Sequence, residues 1–339
     1  MKKIKLIIAI VVAAVGMTAI FYACQKDNNN YPTETENVTK SYASHSIKNE
    51  NNILCFENFE HVKWTIDNLD RLMDEYLEKY INPLLAGRSD EELVELAENK
   101  EIESYQPYID FENKLGFTSL RKVLLEAELH WLETTDGENI EDDPDNHYIM
   151  EGSFRAILNP NAELKVGDVY YRFLEGGYFE TEEQNILLSS RNGDYSNITN
   201  GNLVIENSLK SGCTSGKRNS GFEYNNGKSR RIKWVVAHKT PFPKGRHVKA
   251  KTKNYYKKNK TWKKYHATCE ARVYGHISGW KGDCSDKTEF NSSSGQSVYH
   301  LAAKKAKHKI YVQTKIQSGW VKGYHMGAGG IKYSSTLKF

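Results

Sequence analysis

Between residues 209 and 339 the chain has almost no negative charge, with 5 Asp and Glu against 29 Lys and Arg, a net of +24. The scarcity is local. Residues 1–208 hold 38 acidic and only 18 basic residues, a net of −20, and the whole chain reads +4. An asymmetry that large marks two units with different surfaces. Glycoside hydrolysis needs two carboxylates on one cleft. The basic part supplies only Glu223, Glu270, Asp283, Asp286 and Glu289, the last three in one loop. Cysteine is also scarce, with five in the chain and no Cys-x-x-Cys pair, so neither a thioredoxin-like centre nor a zinc ribbon is supported. The HExxH and GxSxG motifs are missing. The glycine cluster Gly323–Gly330 lacks the Lys-Ser/Thr ending of a phosphate loop and reads as a turn or bulge between strands. Residues 136–147 carry six carboxylates without the Asp-x-Asp-x-Asp-Gly frame of a calcium loop, and read as a solvated acidic linker. No cofactor or metal follows from any of these patterns.

The chain has one long hydrophobic run, at its start. Lys2, Lys3 and Lys5 precede an apolar stretch from Leu6 to Ala23, and Cys24 follows directly. That order describes a secretory signal over residues 1–23 that ends at a lipidated cysteine. Phe21-Tyr22-Ala23-Cys24 resembles the lipobox of bacterial lipoproteins, and Gln25-Lys26-Asp27 resembles the polar signal that sends Bacteroidota lipoproteins to the outer face of the cell. The resemblance implies lipid attachment at Cys24 and an outer-membrane, cell-surface location. About eighteen apolar residues also suffice for an uncleaved span. Either reading places the bulk of the chain outside the cytoplasm at a membrane, with multiple acylation making the lipid anchor stable.

Residues 24–52, rich in Asn, Ser, Thr and Glu, read as a flexible tether of roughly 30 Å average reach. From Ile53 the spacing turns helical through Phe56, Phe59, Ile66, Leu69, Met73 and Leu77, and Asn82-Pro83 ends the run. Ser89 with Glu92 forms a capping box for a second helix. A third is expected over 107–115, stopped at Gly116, and a fourth from Thr118 as N-cap through Leu132. Residues 53–135 are thus an acidic helical domain. Residues 136–208 form a β-rich connector with a linker, with strands expected at 154–158, 169–173 and 178–181 and further short strands near Ile186 and Leu203. Residues 209–339 read as a basic all-β domain of long antiparallel strands, a sandwich or barrel. The fold class is α+β.

Phe111-Glu112, Leu115-Gly116-Phe117-Thr118-Ser119-Leu120, Ala156-Ile157-Leu158-Asn159-Pro160-Asn161 and Val166-Gly167-Asp168-Val169-Tyr170-Tyr171 together resemble a family of uncharacterised Bacteroidota surface lipoproteins. The first Gly motif reads as a helix junction and the second as a turn between strands. The resemblance implies no activity.

In an oxidising compartment, Cys55, Cys213, Cys269 and Cys284 permit three pairings. Cys213 and Cys284 lie in Gly/Ser-rich loops and are the favoured disulfide. Cys269 shares an alternating core face with Tyr265, Ala267, Ala271 and Val273, and it and Cys55 read as buried thiols.

The sharpest local feature is the stretch 249–264, with eight lysines among Tyr255, Tyr256 and Trp262. It reads as a hairpin turning near Asn259 with its lysine heads on one face. Tyr255, Tyr256, Lys257, Lys258, Lys260, Trp262, Lys263 and Lys264 would then bind a polyanion through repeated charge and aromatic stacking. Export favours an acidic or sulfated glycan, or lipopolysaccharide, over nucleic acid. A partner protein is the other candidate, and no base-recognition motif occurs. Two alternatives stand beside this binding module. One is a structural or assembly lipoprotein whose acidic and basic halves pair internally. The other is a hydrolase with an unrecognised site among His238, His247, His266, His276, His300, His308 and His325.

Overall fold

The computed structural model describes residues 46–85, 87–100, 105–135, 137–147, 152–174, 177–193, 200–205, 218–239, 247–264, 267, 269–281, 287–290, 296–297, 303–309 and 314–338. The segments expected as separate domains pack into one compact unit over residues 47–339.

The N-terminal half is built on a six-stranded sheet in the order β1 (Lys48–Glu50), β2 (Ile53–Phe56), β3 (Glu163–Val166), β4 (Val169–Leu174), β5 (Gly177–Thr181) and β6 (Asn202–Ile205). Only the β2–β3 pair is parallel. A helix was expected to begin at Ile53. Instead Asn51 and Asn52 take φ values of 54° and 61°, a tight turn between β1 and β2. Ile53 and Leu54 are buried on opposite faces of this sheet, in two different apolar clusters. Covered on both faces, the segment gives no alternation to read.

Helix α1 (Phe59–Tyr76) is capped by Asn58, whose side chain accepts from His61 N at 3.0 Å, and buries Val62, Ile66, Leu69 and Met73. It runs past the expected stop at Pro83, through a π-turn at Leu77–Ile81 and a last turn at Asn82–Leu85. The widened turn takes up the hydrogen bond and space that proline denies an α-helix. Helix α2 (Asp90–Lys100) carries the capping box as expected, with Ser89 N donating to Glu92 Oε2 at 2.8 Å and Glu92 N donating to Ser89 Oγ at 3.3 Å. Helix α3 (Gln106–Leu115) ends at Gly116, and helix α4 (Leu120–Thr134) starts from Ser119 rather than Thr118.

Glu112 explains the choice of cap. Its buried carboxylate accepts from Ser119 Oγ at 2.5 Å and from Arg121 Nε and Nη2 at 2.9 and 2.8 Å, tying the end of α3 to the start of α4. The expected strand at 154–158 is instead a short helix, α5 (Ser153–Ala156), and the apolar piece at 186–188 lies in helix α6 (Gln184–Ser190). Phe154, Ala156, Ile157 and Leu158 are all buried, so neither period could show.

The C-terminal half is all antiparallel. One sheet runs β10 (Thr261–Lys264), β9 (His247–Lys258), β8 (Arg230–Lys239), β7 (Arg218–Tyr224), with β14 (Ala303–Lys309) also paired to β9. The other runs β12 (Lys287–Phe290), β11 (Cys269–Lys281), β15 (Thr314–Met326), β16 (Lys332–Lys338), with β13 (Gln296–Ser297) on β11. The architecture is α+β, and among the described strands no sheet is shared between the two halves. The two basic sheets meet face to face: Trp234 stacks on Tyr333 at 4.7 Å, and Ile232, Val236 and Ala250 lie buried in the first sheet as Ala271, Val273 and Val321 do in the second. Of the glycine cluster, Gly323–Met326 belongs to β15, and only Gly327–Gly330 forms the expected turn to β16. A Cβ on Gly327 would stand 2.2 Å from Ile232 Cγ2 and 2.5 Å from Asn254 Oδ1, so this close approach of turn to sheet requires glycine.

His325 is sealed between the two sheets. Thr252 Oγ1 donates to Glu270 O at 2.8 Å, so its contact with His325 Nδ1 at 3.0 Å is one in which the ring donates. His325 Nε2 then accepts from Ser335 Oγ at 2.9 Å. Burial pushes the imidazole down to about 4, against a weaker pull from the Lys251 backbone carbonyl.

Two outcomes follow. Glu112→Ala should cost about 3–5 kcal/mol in urea unfolding, because Arg121 is left buried and unpaired. The unfolded chain protonates its histidine near pH 6.5 and the folded one only near 4, so stability should fall as pH drops through that window, by roughly 3 kcal/mol from His325. His325→Gln should flatten that part of the pH profile of the urea midpoint.

Candidate functional site

The lysine-rich segment is a hairpin, as expected. Thr261 pairs with Lys258, and Asn259 and Lys260 take φ values of 51° and 72° at its two-residue turn. Its lysines do not share a solvent face. Alternation along β8 and β9 sends Ile232, Trp234, Val236, Ala250, Thr252 and Asn254 to one side and Arg231, Lys233, Lys251, Lys253 and Tyr255 to the other, and every one of these side chains is buried. The second side lies beneath helix α4 and the acidic segment that follows it.

Three carboxylates meet this cationic face. Asp145 stands 3.3 Å from Lys233 Nζ, 3.4 Å from Lys251 Nζ and 3.3 Å from Lys253 Nζ, and also pairs with Arg155. Asp143 pairs with Lys233. Glu128 of α4 stands 2.8 Å from both Lys253 Nζ and Lys264 Nζ and accepts from the Tyr255 hydroxyl at 3.2 Å. The expected solvated linker is therefore only half solvated. Glu138, Glu141 and Asp142 are exposed, while a 3-10 turn at Pro144–His147 places Asp143 and Asp145 against the sheet. Burial alone would push the Glu128 and Asp145 carboxyls up. The surrounding lysines, with Arg155 at Asp145, outweigh it and hold both well below the usual carboxylate range. Burial opposes the charge of Lys253 too, and Asp145 and Glu128 overcome it, raising Lys253 well above its ordinary value.

Arg231 is fully buried beside this layer, its guanidinium centred 3.9 Å from the Phe222 ring, 4.4 Å from Trp262 and 4.9 Å from Tyr255. The aromatic faces supply the negative potential that water would otherwise provide, while burial lowers its pKa. Gly137, at φ +57°, closes the cage. A Cβ there would stand 2.7 Å from Leu132 Cδ2 and 3.1 Å from Arg231 Nη2.

The eight residues expected to bind a polyanion therefore divide. Tyr255, Trp262 and Lys264 are buried under α4, where no polymer can stack or pair with them. Tyr256 is half-buried with Arg230 over its ring at 5.6 Å. Lys257 lies 3.7 Å from Glu138 and Lys263 3.9 Å from Glu133, at the rim of the same interface. Lys258 and Lys260 are exposed at the turn. In the sequence, Tyr255 and Trp262 pass for ligand platforms because a Tyr/Trp/Lys alternation looks the same whether solvent or another element covers it. Glu128, Asp143 and Asp145 were missed as functional partners, although the opposite charges of the two halves were their signal.

Cys24, Cys213 and Cys284 lie outside the described residues, so the lipid site and the favoured disulfide do too. Cys269 is buried, and Cys55 is half-buried with its thiol pushed up to about 11 by burial and then by Glu50. Among the described residues no cluster of His, Cys, Asp and Glu is placed to hold a metal. Apart from His325, the side chains of the histidines considered for a hydrolase lie outside the described residues.

Gly137→Ala should destabilise the protein by about 1–3 kcal/mol, from a strained backbone and an overpacked cage, read as a lower urea midpoint. Depressed carboxylates stabilise the fold above their unfolded values near pH 4 and lose that contribution as pH falls toward their folded values. The ionic layer should thus leave stability flat between pH 7 and 5 and steepen the loss only below about pH 4. A Glu128→Gln, Asp145→Asn variant should lack that steep part.

No family model matches the chain, and no curated protein matches it. Among solved structures the chain is similar to a DUF4848 family protein from Bacteroides thetaiotaomicron at 11% identity, over 87% of this chain and 100% of that one. The TM-score of 0.21 carries no inference about fold or activity.

Proposed function

We propose that this chain is a structural or assembly lipoprotein, held through Cys24 at the outer membrane and facing the cell exterior, whose acidic and basic halves neutralise each other. The carrying observation is Asp145, a buried carboxylate from the acidic half within 3.4 Å of three lysines on the facing sheet. A site built to capture a foreign polyanion would keep such lysines in solvent. Here they are occupied by the protein's own acids. The signal-like start and the resemblance to Bacteroidota surface lipoproteins support the location. Among the described residues no helix is long and apolar enough to cross a membrane.

The pairing is tested by producing residues 1–208 and 209–339 as two polypeptides, a division that splits no described sheet. They should co-purify, and stay together at 0.5 M salt because buried pairs are screened far less than exposed ones. Glu128→Ala with Asp145→Ala should separate them. Dissociation of the wild-type pair by salt alone would count against a buried lock. For the anchor, Cys24→Ala should move the protein out of the membrane fraction and abolish its labelling with fatty acid. Retention in the membrane would favour the uncleaved span.

A further inference from the structure

The outer face of the β11–β15–β16 sheet takes no part in the ionic layer. Along β15, Trp320, Lys322, Tyr324 and Met326 point away from the sandwich, opposite the buried Val321, Gly323 and His325. Trp320 is 36% exposed, and Lys322 Nζ sits 5.3 Å from its ring centre. On one side Arg272 of β11 is paired in register with Tyr324 and lies over that ring at 5.5 Å. On the other, β16 places Lys338 opposite Trp320, Thr336 opposite Lys322, Ser334 opposite Tyr324 and Lys332 opposite Met326. Of the carboxylates on this face, Glu270 is buried and pairs with Arg272, and Glu289 of β12 stands in register opposite His276, across β11 from Trp320. Neither Lys322 nor Lys332 has an ion pair with a described carboxylate.

We propose that this face binds an anionic polysaccharide laid along β15. Two aromatic rings four residues apart offer flat apolar surface for the C–H faces of sugar rings. Lysines and an arginine between and beside them provide charge-assisted hydrogen bonds for carboxylate or sulfate groups, and Ser334 and Thr336 can pair with sugar hydroxyls. From Trp320 to Met326 the strand extends about 20 Å, room for several sugar units. The site is independent of the internal lock, since the lysines of the lock point to the opposite side of the molecule's basic half. The choice of polysaccharide over single-stranded nucleic acid, which also stacks on aromatic side chains, rests on the extracytoplasmic placement proposed above.

The test uses the full-length protein in detergent, titrated with dextran sulfate, unsulfated dextran and single-stranded DNA of matched charge. Dextran sulfate should bind, on the order of tenfold more weakly at 200 than at 50 mM salt, and plain dextran should not. Trp320→Ala, and separately Lys322→Gln with Lys332→Gln, should each weaken binding at least tenfold with an unchanged thermal midpoint. Lys258→Gln with Lys260→Gln at the hairpin turn should leave it intact. Absence of binding, or binding that survives the β15 and β16 substitutions, would overturn the site. DNA bound as tightly as dextran sulfate would overturn the polysaccharide assignment, and the membrane-fraction experiment with Cys24→Ala reports separately on the placement behind it.

Discussion

Everything in the basic half depends on how four long cationic side chains are kept charged out of water. Arg231, Lys233, Lys251 and Lys253 occupy one face of the β8–β9 pair, and all four are buried. Desolvating a charge costs several kcal/mol, which only close counter-charges and hydrogen bonds offset. Asp143, Asp145 and Glu128 answer the lysines, and three aromatic rings answer the arginine. Such a layer adds little net stability over an apolar one, but it punishes any misplacement, since a shifted sheet would strand a buried charge. We read it as a device that sets the position of sheet against helix, with Gly137 and the turn at Pro144–His147 as the parts that bring backbone close enough.

The same layer joins two cores. The helical cluster around Val62, Leu69 and Leu120 reaches Ala267, Tyr256 and Ala328 of the basic half, and Trp131 with Leu132 packs on Tyr255 and Trp262. Apolar contact thus supplies the attraction and the ion pairs supply the register. The lock covers the side of the β8–β9 sheet turned to α4, while the face of the β11–β15–β16 sheet carrying Trp320 and Tyr324 lies on the other side of the sandwich.

Much of this was legible in the residues. Helix α1 shows in the spacing of Ile66, Leu69 and Met73, α2 in the Ser89–Glu92 box, the end of α3 in Gly116, and the lysine hairpin in its turn at Asn259. What failed has a common cause. Ile53–Leu54 and Phe154–Leu158 are buried on all sides, so no period distinguishes strand from helix. Lys251 and Lys253 alternate as a solvent face would, because what covers them, Glu128 and Asp145, lies more than a hundred residues away in the chain. Local pattern carries the strand; only the opposed net charges of the two halves carried the partnership.

The order of the halves along the chain has a consequence for how the protein comes to be folded. Synthesis runs from the N-terminus, and early segments organise first. Glu128, Asp143 and Asp145 therefore exist, and can be held on α4 and its following turn, before Lys233 is made. The lysine-bearing strands arrive at a docking surface already furnished with their counter-charges. In the reverse order, a sheet with four cations on one face would have to wait exposed and self-repelling. The counter-charges thus precede the lysine-bearing strands in the chain, and the sheet finds its partner in residues already made.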